Sequence, residues 1–299
     1  MDLSTLKTEE RNPLTDNIDK VSTLEMLRII NREDQKVATA VEKELPNIAE
    51  AVDVIAQQLH EGGRLIYIGC GTSGRLGILD SVECPPTYST DPGQVIGLIA
   101  GGYDAIFKAV EGAEDNRKLG EQDLKKMELT DKDVVVGLAA SGRTPYVLGG
   151  MAYAKSIGAK VVGVSCCPGS EIAESADIAI TPTPGPEVVT GSTRMKSGTA
   201  QKLVCNMLST GAMIRMGKVY GNLMVDVKPS NKKLIQRCKH IVCEATGVPT
   251  SEAEAVLEQC DYRPKVAIVM ILCKCSEEEA VRRLEAADGR IAMAIEHTR

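Results

Sequence analysis

Tryptophan is absent, phenylalanine occurs once, at Phe107, and only seven tyrosines and three histidines stand among 299 residues. A nucleic-acid-binding chain needs aromatic stacking platforms and a basic face. Here 35 Lys+Arg meet 41 Asp+Glu for a formal net charge of −6, so no nucleic-acid partner is expected. Phosphate-bearing small molecules stay open, because loop amides bind them locally. Long apolar runs are also missing. No stretch approaches the ~18 residues that signal a membrane span, and the start, MDLSTLKTEERNPLTDNID, has no apolar signal core. None of the ten cysteines forms a CxxC pair; Cys166-Cys167 is vicinal, and Cys273-Lys274-Cys275 is too tight for a usual zinc knuckle. These absences predict a cytoplasmic, reducing setting without a membrane partner, in which cysteines act as small core residues.

What is present is a core of Ala, Val, Ile, Leu and Met, within an overall 43% hydrophobic composition. Residues 1–22 are polar and turn-rich and read as an arm rather than a core element. From Ser22 to Leu59 the pattern turns helical, with a capping box at Ser22-Thr23-Leu24-Glu25 and a restart expected at Pro46. Short apolar runs then follow at 64–69, 94–100, 133–139, 160–165 and 176–181, with helices expected at 74–83, 103–125 and 145–158. Apolar runs without alternation, separated by helical spans, predict an α/β fold with a doubly wound parallel sheet. A long apolar helix is expected from Lys196 to about Tyr220. Beyond Asp226-Val227-Lys228-Pro229 the spans 230–246, 251–260, 265–274 and 276–287 predict a small all-helical C-terminal domain. The expected boundaries are 1–53 for the arm and helices, 54–226 for the α/β domain and 227–299 for the helical bundle.

The chemistry concentrates at strand-to-helix junctions. Gly69-Cys-Gly-Thr-Ser-Gly74 matches GxGxxG, but a dinucleotide site needs an acid at the end of the second strand, and Ala100-Gly-Gly-Tyr-Asp104 offers none at its immediate end. A sugar phosphate suits the same loops better. Amides at helix starts carry partial positive charge, and Thr72, Ser73, Gly74, Ser141, Gly142, Thr144, Ser192 and Thr193 supply neutral donors or close backbone approach. Any one of these hydroxyls could instead simply cap its helix. Three such loops at carboxyl ends of strands favour a ligand site.

GCGTSGRLGILDSVECPP at 69–86, GAEDN at 112–116, AASGRTP at 139–145 and TGSTRMKSGTAQK at 190–202 resemble the signatures of the N-acetylmuramic acid 6-phosphate etherases. TEERNP at 8–13 and YGNLMVDVKPS at 220–230 fit that family too, so the resemblance spans essentially the whole chain. It implies a sugar-isomerase (SIS) type α/β domain followed by a helical bundle, and cleavage of a lactyl ether to give N-acetylglucosamine 6-phosphate and D-lactate. It places the family's catalytic acid on Glu83 and a second essential carboxylate on Glu114, with no cofactor and no metal. The similar glucokinase regulatory protein and aldose–ketose isomerases suggest two alternatives, a non-catalytic sugar-phosphate-responsive regulator and an isomerase; retention of both glutamates favours the etherase. Related SIS domains build sites at subunit interfaces, so a homodimer with shared sites is expected. If 74–83 is one helix, a rise of ~1.5 Å per residue places Glu83 roughly 14 Å from the first loop. Either the helix breaks at Gly77 or Glu83 serves a partner's site.

Overall fold

The computed structural model describes residues 7–229 and 231–296. Ser230, His297 and residues 1–6 of the expected arm lie outside them. The chain separates into two compact units: Met1–Val82 with Gly93–Ser209, and Glu83–Pro92 with Thr210–Arg299.

In the first unit, five parallel strands lie in the order β2-β1-β3-β4-β5, with β1 at Leu65–Gly69, β2 at Val95–Ile99, β3 at Val134–Leu138, β4 at Lys160–Val164 and β5 at Ile178–Ile180. Every residue of β1 and β3 is buried, which explains why these strands read as unbroken apolar runs. The chain goes from β1 outward to β2, then returns past β1 to β3. The β1/β3 junction is therefore the switch point, outside whose carboxyl ends open α/β sheets bind ligands.

Helices α1 (Thr23–Asp34), α2 (Lys36–Glu42) and α3 (Leu45–His60) precede the sheet. Ser22 accepts the Glu25 amide at 3.3 Å and caps α1, and Pro46 falls in the first turn of α3, where its missing N–H costs nothing. Helix α4 (Gly71–Tyr88) follows β1 and continues unbroken through Gly77 and through Pro85-Pro86. The helix expected at 103–125 is not continuous. A short 3-10 turn at Tyr103–Ile106 gives way to an irregular stretch in which Gly112 takes φ +73°, and α5 starts only at Arg117, where Asn116 caps the Leu119 amide. Helices α6 (Pro145–Ser156), α7 (Glu171–Ser175) and α8 (Lys196–Arg215) complete the series. Helix α8 ends five residues before the expected Tyr220, because Gly217 turns left-handed at φ +71°.

The second unit holds a short hairpin, β6 (Val219–Tyr220) with β7 (Leu223–Met224), and helices α9 (Lys232–Thr246), α10 (Thr250–Gln259), α11 (Pro264–Cys273), α12 (Glu277–Ala286) and α13 (Ile291–Glu296). Val266 to Met270 of α11 are all buried, so α11 is the central helix around which Cys238, Ile241, Leu257, Leu284 and Ile291 pack. None of the ten cysteines is in a disulfide; six are buried, as small core residues should be.

Candidate functional site

Three junctions were expected to carry donors. The first is built where β1 hands over to α4. Gly74 lies so close to the strand that a Cβ there would fall 2.7 Å from Gly69 O and from Ile99 Cγ1, so this glycine permits the helix to pack down on the sheet. Ser73 is buried and its hydroxyl donates to Gln201 Oε1 on α8 at 2.8 Å, so its proton is already committed within the chain. Thr72 stays half-buried, with its methyl 3.4 Å from where a Cβ on Gly198 would stand. The first and third loops therefore meet. Arg75, part of the Ser-Gly-Arg word, turns away and donates to Ile106 O at 2.7 Å and Ala105 O at 2.8 Å, which clamps the turn after β2.

The second junction follows β3. Gly142 has φ +68°, and a Cβ there would sit 2.1 Å from Ser170 Oγ, so only glycine fits. Ser141 and Thr144 are half-buried, and Thr144, at the N-cap of α6, makes no side-chain capping bond.

Glu114 links these two junctions. Its carbonyl accepts the Tyr146 amide in the first turn of α6 at 3.0 Å, while its exposed side chain helps line a cavity of about 160 Å³ with Cys70, Gly71, Arg75 and Ala100. Burial, reinforced by the charges of Glu114 and Asp115, pushes the Cys70 thiol up to about 12. The cavity opens at the carboxyl ends of β1 and β2, beside the switch point.

The third junction differs from the first two. The amides of Lys196 and Ser197 that start α8 both donate to the fully buried Glu187 carboxylate, at 2.9 Å each. The Glu187 carboxylate thus caps the positive end of α8, and this loop offers Ser192 and Thr193, both half-buried, as neutral donors beside the exposed Arg194. Glu187 was missed by sequence reasoning; a carboxylate nine residues upstream of the amides it caps carries no local motif. Glu83 is exposed on α4.

A larger cavity, about 620 Å³, is lined instead by the arm, α1, α2 and Thr183–Pro186. Among the described residues no group of three or more His, Cys, Asp or Glu gathers as metal ligands would, and no helix is long and apolar enough to cross a membrane.

A five-stranded parallel sheet with hydroxyl-rich loops at its switch point fits the SIS class, which two family models identify in this chain. The SIS domain model matches residues 119–211 and the glucokinase regulatory protein N-terminal SIS domain model matches residues 47–155. A solved structure of a candidate phosphosugar isomerase involved in capsule formation, from Bacteroides fragilis, shares this fold at a TM-score of 0.50 and 21% identity, over 66% of this chain and 94% of that one. Whole-chain relatives are more specific. The N-acetylmuramic acid 6-phosphate etherase of Clostridium beijerinckii is 59% identical over 99% of this chain and 97% of its own length. The enzyme of that name from Vibrio vulnificus is 62% identical over 99% and 98%. The chain belongs to the N-acetylmuramic acid 6-phosphate etherase family.

Proposed function

We propose that this chain cleaves the D-lactyl ether of N-acetylmuramic acid 6-phosphate, by elimination followed by addition of water, in the recycling of cell-wall amino sugars in the cytoplasm. The observation that carries the reading is identity near 60% with etherases over essentially the whole chain. The proposed chemistry needs two proton transfers. Opening the sugar ring exposes an aldehyde at C1 that acidifies the hydrogen on C2. One carboxylate removes that proton while an acid protonates the lactyl oxygen leaving C3, and water then adds at C3 to the unsaturated aldehyde. Each transfer typically contributes about 10²–10⁴-fold in rate. Glu83 is assigned the acid role and Glu114 the other carboxylate role. Thr72, Gly74, Ser141, Gly142, Thr144, Ser192 and Thr193 are assigned to the phosphate and sugar, with Ser73 acting through Gln201.

Sharing of the site in a homodimer belongs to the same proposal. Helix α4 does not break at Gly77, so a rise of ~1.5 Å per residue leaves Glu83 roughly 18 Å along its axis from Gly71. Leu79 is 48% exposed and Val82 58%, and with Glu83 they occupy one i, i+3, i+4 face of α4. An apolar stripe beside the acid suits burial against a second copy.

The test is a reaction in deuterated, oxygen-18-labelled water. Elimination and hydration put deuterium at C2 and oxygen-18 at C3, while lactate keeps its ether oxygen; label in lactate would reject the mechanism. A ketose phosphate without lactate would identify an isomerase, and no turnover a regulator. Mixing inactive Glu83→Ala and Ser141→Ala proteins after subunit exchange should restore activity, because one site in each mixed dimer regains both groups; no recovery despite exchange rejects the shared site.

A further inference from the structure

The connection from β5 to α8 is long and irregular, and two of its carbonyls are held by side chains from the N-terminal segment. Asn12 Nδ2 donates to Pro186 O at 3.2 Å, and Thr15 Oγ1 donates to Val188 O at 2.9 Å. The Glu9 carboxylate lies against Gly191, where a Cβ would come within 2.9 Å of its Oε2. Beneath them, Lys196 Nζ is fully buried and donates to Glu33 Oε2 at 2.6 Å and to Pro184 O at 3.1 Å; Asn12 Nδ2 reaches the same Glu33 oxygen at 2.9 Å. The carbonyls of Pro184, Pro186 and Val188 are thus tied by hydrogen bonds, and Glu9 lies against Gly191, one residue short of Ser192. Thr8, Asn12 and Thr15 are buried, so the segment read as an arm rather than a core element packs down at these three residues. Its amide and hydroxyl groups satisfy carbonyls of a loop that has no strand or helix partner for them.

We infer that Asn12 and Thr15 are positioning residues for substrate binding, which hold the loop bearing Ser192 and Thr193 in its binding conformation before the sugar phosphate arrives. The inference rests on the reading that this loop contacts substrate. A loop already ordered saves the ligand the cost of ordering it, so losing the tie weakens binding rather than chemistry.

The discriminating variants are Thr15→Val, which keeps the shape and removes the donor, and Thr15→Ser, which restores it. Thr15→Val should raise KM for N-acetylmuramic acid 6-phosphate about 3- to 10-fold, the range for one neutral hydrogen bond, with kcat within about twofold. Amide exchange at 189–193 should accelerate, and Thr15→Ser should return both readouts toward the parent. Asn12→Ala should move KM in the same direction and further. Ser192→Ala, measured alongside, tests the underlying reading. If Ser192→Ala raises KM while Thr15→Val lowers only the melting temperature, the residues are structural and the inference is overturned with the reading intact. If Ser192→Ala leaves KM unchanged, the reading fails and the inference falls with it. A KM rise in Thr15→Val that Thr15→Ser does not reverse also overturns it.

Discussion

Glu33 and Asp80 are both buried carboxylates of the α/β unit, and their surroundings drive them in opposite directions. Burial works to raise both. At Glu33 it is outweighed by Lys196, Lys36 and Asn12, whose hydrogen bonds hold the carboxyl at about 2. At Asp80 burial prevails and pushes it to about 6, against the hydrogen bonds of the Tyr67 hydroxyl, at 2.8 Å, and the Ser209 hydroxyl, at 3.1 Å, and the field of Lys202. Two ammonium groups and an amide in direct contact overcome desolvation at Glu33, whereas hydroxyl donors and a lysine's field do not at Asp80. The first region ties the third loop to the arm. The second ties α4 to β1 and α8, three residues before Glu83 on the same helix.

The largest effect is expected from Lys196→Met. It removes a fully buried cation and leaves Glu33 facing Asn12 and the half-exposed Lys36, at a cost of about 3–5 kcal/mol in urea unfolding. Adding Glu33→Gln to that variant should recover much of the loss, since no buried charge remains unpaired. A single-variant cost under about 1 kcal/mol would mean that Glu33 is not sustained by its cation and would dissolve the contrast.

Acid titration comes next. Glu33 has a folded value below its ordinary 4.5, so its contribution is fully present above that value and is lost as pH falls from 4.5 toward about 2. Asp80 has the opposite sign. Its folded value lies above the ordinary 3.8, so folding takes up a proton and stability rises as pH falls through about 6 toward 3.8. Stability measured from pH 7 to pH 2 should lose the acid limb in Glu33→Gln and lose the rise near pH 6 in Asp80→Asn; identical profiles in both variants would refute the assignment. The smallest effect is that of Asp80→Asn at neutral pH, expected within about 1 kcal/mol of the parent, because the substitution removes a charge that the site barely supports.

Of this arrangement, the sheet was the most legible part. Strands buried on both faces must be apolar throughout, and the runs around Ile66, Val135 and Val162 show it. A helix start with a local cap, such as Ser22, was equally readable, since donor and acceptor lie three residues apart. The 103–125 span misled because its apolar residues suggested one helix, while Gly112 and the Asn116 cap divide it. The first two hydroxyl-rich loops could be placed after β1 and β3 from their sequence, whereas the third lies well beyond β5; the commitment of Ser73 to Gln201 could not be read, because the two are 128 residues apart. Glu33 was hidden for the same reason. In a polar helical stretch it reads as a solvated charge, and only the folded chain brings Lys196 to it across 163 residues.

That separation sets an order of events during synthesis. The arm and α1 leave the ribosome before α8, and the lysine that must neutralise Glu33 follows it about 8–30 s later at ~5–20 residues per second. Through that interval Glu33 can only be a hydrated surface charge, and Asn12 and Thr15 have no carbonyls to meet. The first residues of the α/β unit to be translated are therefore among the last to lock in place, after the sheet that lies between them and their partners in sequence has been made.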